Sequence, residues 1–363
     1  MKEIMIIGQF SPPIHGLSKA LDTLYNSNNI NKSFKLKKIN LTNNKKFLSN
    51  LFKIFKSNSN LYYLTISQSK FGNIRDIIIL NIILFRKKKV LIHLHGGGFR
   101  NLLDNEMNNL QKRINIKILR KVDGAIVLGE SLKYIFEGIV EENKIFVIKN
   151  CVDNEFVINR NEFEDKIKKL ENKKNFKILY LSNFIEDKGY KEVLKLAKTF
   201  KDTNNSRIKF LFAGKFFSDN DKSEFFNYIK VENIEEIVEY LGVVSGENKK
   251  ELLKECDYFI LITKYKNEGQ PISIIEAAAN GLRIITTNHA GILDILNQEE
   301  MIIVDKENPD IEELKKLLLN ELDQTDRLVE VITSNRNKII YEFSEKKYVE
   351  NMKSIFQYFC KGE

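Results

Sequence analysis

Glu268 and Glu276 flank the run Gly269-Gln270-Pro271-Ile272-Ser273-Ile274-Ile275, a loop that turns into a helix. Gly269 loosens the loop, Pro271 suits a first helical turn because it has no N–H to leave unpaired, and Gly281 ends the helix. The backbone amides from Gln270 through Ile272 to Ser273 then point outward, unpaired. A helix start of this kind carries partial positive charge and can hold a diphosphate without a metal. Carboxylates accept strongly from hydroxyls, so one glutamate can meet a transferred sugar while the other meets a ribose. The plainer reading is an ordinary amphipathic helix with Ile275, Ala278 and Ala279 inward and both glutamates solvated. The motif alone does not separate the two.

Other residues gain weight in company. The run Val90-Leu91-Ile92-His93-Leu94-His95 ends in Gly96-Gly97-Gly98. Strand alternation puts both histidines on one face, with His93 deeper and His95 at the carboxyl end, where it can donate to a substrate hydroxyl. No third ligand has convincing spacing, so a zinc site is not expected. Lys188, with Asn183 nearby, can neutralise charge developing on a departing diphosphate. The backbone at Val243 can pair with a nucleobase edge. The first apolar run leads into Gln9-Phe10-Ser11-Pro12-Pro13-Ile14-His15-Gly16, where Gly16 lets backbone approach a ligand ahead of a helix. It is not a GxGxxG fingerprint, which weakens a dehydrogenase reading. Asp219-Asn220-Asp221 reads as exposed turn chemistry, not a metal motif.

The elements that must position these groups alternate between short apolar runs and helical patterns, the mark of parallel sheets covered by helices. Strands are expected near 4–8, 34–40, 60–66, 89–94, 124–128 and 144–148. A second set is expected near 176–182, 208–213, 237–241, 257–262, 283–287 and 301–303. The polar segment Asn159 to Lys174 marks the boundary between two α/β domains, 1–165 and 166–340. The tail 341–363 carries Tyr348, Met352, Ile355 and Phe356 at helical spacing and is expected to pack back on the first domain. Open parallel sheets bind ligands beyond their carboxyl ends, so two sheets facing across a cleft are expected.

With 363 residues, 43% apolar and 29% charged, the chain is globular and not disordered. Its start lacks a signal-peptide pattern, and Ile77 to Phe85 is too short to span a bilayer; a cytoplasmic protein is expected. Cys151, Cys256 and Cys360 suggest reduced thiols. The net charge of +9 asks for an anionic partner. Nucleic acid finds no recognition motif. An anionic membrane suits better: wound as a helix, 45–56 aligns Phe47, Leu48, Leu51, Phe52 and Phe55, with its lysines mainly off that stripe. The competing reading is a core helix with a solvated lysine face.

Taken in chain order, these motifs resemble glycosyltransferase family 4, a retaining group of GT-B fold that uses nucleotide sugars. The resemblance rests on the loop Pro12 to Gly16, the strand ending in His95, Asn150-Cys151-Val152-Asp153, Lys188-Gly189, and the Glu268/Glu276 pair followed by Ala277-Ala278-Ala279-Asn280-Gly281. It implies that Glu268 contacts the donor sugar, Glu276 the ribose, Lys188 the diphosphate and Gly16 the phosphate region. It also implies an acceptor-binding first domain, a UDP- or GDP-sugar as donor, and no cofactor or divalent metal. The acceptor would be a glycan or lipid-linked oligosaccharide of a bacterial surface polysaccharide. Ser182-Asn183 stands where the family often has Gly-Arg, so Lys188 must carry more of the phosphate charge. A nucleotide-sugar epimerase on the same architecture is the alternative, and a basic nucleic-acid-binding protein, which leaves both glutamates idle, is a remoter one.

Overall fold

The computed structural model describes residues 1–12, 16–171, 173–203 and 207–361. Pro13, Ile14 and His15 of the proline-glycine loop lie outside the described residues. The chain forms two compact units: Met1–Cys151 with Lys266–Gln270 and Glu345–Glu363, and Val152–Tyr265 with Pro271–Ser344. Each is built on a six-stranded sheet.

In the first unit, β1 (Lys2–Gly8), β2 (Phe34–Asn40), β3 (Leu61–Thr65), β4 (Lys89–His93), β5 (Gly124–Val127) and β6 (Ile145–Val147) are all parallel, in the order β2-β1-β3-β4-β5-β6. Continuous apolar runs such as Ile4–Ile7 and Leu61–Leu64 form strands buried on both faces, as crossover helices require. Helices Phe47–Lys56, Lys70–Phe85 and Asn109–Leu119 lie side by side. The last two are joined by a buried reciprocal amide pair between Asn73 and Asn115, at 2.7 and 2.9 Å. Helix Phe47–Lys56 turns Asn50 and Ile54 inward and leaves Leu48, Phe52 and Phe55 exposed. The core-helix reading of 45–56 therefore fails: Leu48, Phe52 and Phe55 of its apolar stripe face solvent, with Phe47 and Leu51 half-buried. The C-terminal helix Glu345–Cys360 buries Tyr348, Met352 and Phe356 in this unit, with Phe356 edge-on to Phe34 and Tyr63.

In the second unit, β7 (Phe176–Leu181), β8 (Ile208–Ala213), β9 (Val238–Gly242), β10 (Tyr258–Leu261), β11 (Arg283–Thr287) and β12 (Ile302–Val304) are again parallel, ordered β12-β11-β10-β7-β8-β9. All twelve strands fall where the apolar runs predict them, within a residue or two. The break between units, however, falls at Cys151/Val152 and not at 165/166. From Val152 onward the backbone is tied into the second unit, by Val152 N–H to the Phe343 carbonyl (2.8 Å) and Ile158 N–H to Asn280 Oδ1 (2.9 Å). The polar segment read as a linker is helix Arg160–Leu170, opened by an Asn159/Glu162 capping box. Its Lys166 is buried, and Nζ donates to the carbonyls of Leu253 and Asn280. Asp219-Asn220-Asp221 is also more than a turn: it starts helix Asp219–Val231 behind an Ser218 cap.

Strand order reverses once in each sheet, between β1 and β3 and between β7 and β10. Crossover helices leave such a switch point open beyond the strand ends, which is where ligands bind in this class of sheet.

Asn280 is fully buried; it accepts from Ile158 N–H and donates to the Phe156 and Glu276 carbonyls. Asn280→Ala orphans the Ile158 N–H and the Phe156 carbonyl and should cost about 2 kcal/mol. The melting temperature should fall by about 4–8 °C, and a fall below about 1 °C would contradict the assignment.

Candidate active site

At the switch point of the first sheet lies a cavity of about 350 Å³, lined by Gln9, Thr65, Ser67, Gln68, Arg75 and His95, with Leu17 and Ile66. β4 delivers His95 to it. The His93 and His95 rings stack at 3.9 Å and 30°, and Tyr63 Oη lies 2.6 Å from His93 Nδ1. Burial holds the His93 pKa well below its ordinary value, with the neighbouring His95 acting the same way. His93 is thus a neutral wall that fixes the ring beside it, as expected of the deeper histidine. Arg75 enters the cavity lining from helix Lys70–Phe85. Its Nε and Nη2 donate to Asp76 Oδ1 at 2.9 and 2.8 Å, while Asp76 Oδ2 accepts from Ser67 N–H at 2.7 Å. Burial pushes the Asp76 carboxyl up to about 6, against the pull of Arg75 and Ser67. The sequence reading missed this pair. Its one local signal was a carboxylate inside an otherwise apolar helix.

The loop carrying Glu268 belongs to the first unit and lies directly on Gly96-Gly97-Gly98. A Cβ on Gly98 would collide with the Asn267 side chain, and one on Gly269 would sit 2.8 Å from Gly96 Cα. Glycine is required on both sides of that contact. Gly98 N–H donates to Gln68 Oε1 at 2.6 Å, tying the triglycine turn to the cavity wall. Asn150 grips Gln270 twice, N–H to Oε1 at 3.1 Å and Nδ2 to the carbonyl at 3.0 Å. Gln270 Nε2 is buried with no hydrogen-bond partner among the described residues. The first unit therefore gathers His95, Glu268, Gly269 and Gln270. Gly16 opens helix Gly16–Asn26 and is exposed.

In the second unit the two loops at the switch point carry Lys188 and residues 262–265. Gly189 follows Lys188 at φ +77°, and a Cβ there would strike the Ile262 carbonyl. The backbone must turn this tightly to start helix Tyr190–Asp202. Lys264 N–H donates to the Asp187 carbonyl at 2.7 Å, and Lys188 Nζ lies 5.3 Å from the centre of the Tyr265 ring, within cation–π range. Tyr180 Oη donates to the Asn183 carbonyl at 3.1 Å, leaving the Asn183 side chain exposed. Helix Ile272–Ala279 begins one residue later than expected. Pro271 is its N-cap, and the Pro271 carbonyl receives the N–H groups of Ile274 and Ile275. Gly281, at φ +70°, ends it. Val243 follows β9 at the sheet edge and is exposed.

Glu268 and Glu276 are 9% and 4% exposed, so the solvated-helix reading of the pair does not hold. Lys249 Nζ lies 2.6 Å from Glu276 Oε1 and 4.3 Å from the centre of the Phe156 ring. Burial raises the Glu276 carboxyl above its ordinary 4.5, and Lys249 opposes that rise. Among the described residues, no group of three or more His, Cys, Asp or Glu side chains is placed to hold a metal.

Lys249→Met leaves a buried carboxylate unpaired, which should cost about 3 kcal/mol. Its folded pKa would then stand still further above the unfolded value. The stability owed to the protonated form is fully present below 4.5 and lost as pH rises through the folded pKa. The variant's deficit in melting temperature should therefore be largest above pH 7 and shrink toward pH 5. A deficit independent of pH would contradict the pairing.

Residues 161–339 match the family model of glycosyl transferases group 1. The chain is 24% identical over 251 residues to 2-deoxystreptamine N-acetyl-D-glucosaminyltransferase of Niallia circulans, covering 65% of this chain and 62% of that protein. It is 28% identical over 130 residues to the colanic acid biosynthesis glycosyltransferase WcaL of Escherichia coli, covering 34% of this chain and 32% of that one. The chain thus spans less than two thirds of the length of either relative. The crystal structure of HepE from Anabaena in complex with UDP superposes with a TM-score of 0.77 at 13% identity, over 99% of this chain and 100% of that one. The chain therefore has the GT-B fold, and residues 161–339 match the model of group 1 glycosyl transferases.

Proposed function

We propose that this protein is a retaining glycosyltransferase that moves a sugar from a nucleotide-sugar donor to a hydroxyl of a glycan or lipid-linked oligosaccharide. The single observation that carries this reading is the switch point of the second sheet, where the Lys188 loop follows β7 and the chain beyond β10 leads to the helix bearing buried Glu276. UDP is the favoured nucleotide, because HepE, of the same fold, has been crystallised with UDP and with UDP-glucose. The likeness to WcaL favours surface polysaccharide synthesis at the cytoplasmic side of the membrane.

In this reading Glu276 accepts from the ribose, and Lys188 with the amides of Ile272 and Ser273 neutralises the diphosphate. Asn183 and Gly16 approach the phosphates, the Val243 backbone meets the base, and Gly269, Gln270 and Pro271 shape the turn between the glutamates. Glu268 orients the donor sugar, and His95 donates to a sugar hydroxyl. The acceptor hydroxyl attacks the anomeric carbon on the face the diphosphate is leaving. Its C–O bond forms as the sugar–phosphate bond breaks, and a phosphate oxygen takes the hydroxyl proton. Configuration is retained with no covalent enzyme intermediate and no metal. Asn183, standing where the family often has arginine, leaves Lys188 as the main phosphate cation.

A screen of nucleotide sugars by thermal unfolding should find one donor that raises the melting temperature. Donor binding should weaken on acidification while pH is still above 4.5, because protonated Glu276 loses its acceptor strength for the ribose. On that donor, Lys188→Ala and Glu268→Ala should each lower kcat/KM at least 100-fold. Product NMR should show the anomeric configuration of the donor. An inverted product, unchanged activity in both variants, or epimerised sugar from donor alone would overturn the assignment.

A further inference from the structure

Segments 44–56, 70–88 and 109–121 hold more net positive charge than the whole chain's +9, because Asp76 is their sole carboxylate, and it is buried. The same three helices carry nine of the nineteen large hydrophobic residues exposed among the described residues. Helix Lys70–Phe85 is apolar nearly all round. Its inner face buries Ile77, Ile79, Leu80 and Ile83, yet Phe71, Ile74, Ile78 and Phe85 line its outer face, with Phe71 86% and Phe85 81% exposed. A helix apolar on all sides belongs in a core or against lipid. The adjoining helix adds Leu48, Phe52 and Phe55, and helix Asn109–Leu119 adds Leu110 and Ile114. A patch of this extent marks an interaction surface.

Cations are interleaved with these rings. Lys56 Nζ lies 4.3 Å from the centre of the Phe52 ring, and Arg86 lies 5.6 Å from that of Phe55. Arg86 also donates to Asn58 Oδ1 at 2.9 Å, so the guanidinium spans the two helices. Lysines at both ends of helix Phe47–Lys56, together with Arg86, Lys87 and Lys88, can keep their charges at headgroup level while the aromatic rings enter the acyl boundary.

We propose that the outer face of these three helices docks on an anionic lipid bilayer. Both halves of the surface are needed for that occupant: a polyanion without acyl chains would leave Phe71 and Phe85 in water, and an apolar protein partner would leave the cations uncompensated. Arg75 of the cavity lies on helix Lys70–Phe85, so docking holds the cavity within about 10 Å of the lipid surface, one helix diameter. The acceptor taken there is then lipid-linked. That last step rests on the sugar-transfer reading, whereas the docking does not.

Flotation with phosphatidylcholine vesicles containing 30% phosphatidylglycerol tests it. Binding should be at least tenfold tighter than to phosphatidylcholine alone, and should weaken with salt. The triple variant Phe52→Ser, Phe71→Ser, Phe85→Ser should lose at least tenfold, as should Lys45→Glu, Lys46→Glu, Lys53→Glu, Lys56→Glu. The thermal shift given by a soluble nucleotide sugar should be the same in all three proteins. That shift reports folding and donor binding separately, so a failure of the docking and a failure of the transferase reading are told apart. Equal binding to neutral and anionic vesicles, or binding that survives the aromatic triple variant, would overturn the proposal. So would equally tight binding to duplex DNA, or a dimer that the triple variant dissolves.

Discussion

A parallel sheet must return its chain by crossovers, and those crossovers turn away from one another where the strand order reverses. The carboxyl ends of the two strands flanking the reversal are then left uncovered. Both sheets of this protein obey that constraint once, between β1 and β3 and between β7 and β10. Nearly every residue with chemical interest depends on it. His95 and Arg75 line the opening in the first sheet, and the Lys188 loop borders the one in the second. Gly189 and Gly269 are needed because chain segments cross there with no room for a Cβ, and a Cβ at Gly96 or Gly98 would strike the Gln68 or Asn267 side chain.

Charge burial adds a second constraint. Glu276 is held out of water and keeps Lys249 against it. Asp76 likewise keeps Arg75 and the Ser67 amide. Each pair costs desolvation that a hydrophobic pair would not, and Arg75 of the second pair lines the cavity of the first sheet. His93 follows the same logic without charge: burial keeps it neutral, and Tyr63 fixes its ring.

What was legible in the sequence was whatever is local. Strands read as apolar runs because both faces of each sheet are covered, and Gly281 reads as a helix stop because only glycine takes its backbone turn cheaply. Relations across the chain were not legible. The segment around Lys166 looks like a linker by composition, but its lysine is accepted by carbonyls that come from residues 253 and 280. Lys249 gives no sign of its partner 27 residues on. For helix Phe47–Lys56, periodicity gives a stripe but not its direction. The exposure of Leu48, Phe52 and Phe55 in the folded chain shows that this part of the stripe faces away from the core.

The central claim is that the second sheet's switch point and the helix start at Pro271 hold a nucleoside diphosphate. Amide hydrogen exchange with and without UDP tests this most directly. Slowed exchange at residues 183–189 and 268–276, with any further protection limited to the backbone around Gly16 and Val243, is the predicted result. Protection that falls elsewhere, with those two segments unchanged at saturating UDP, would contradict it.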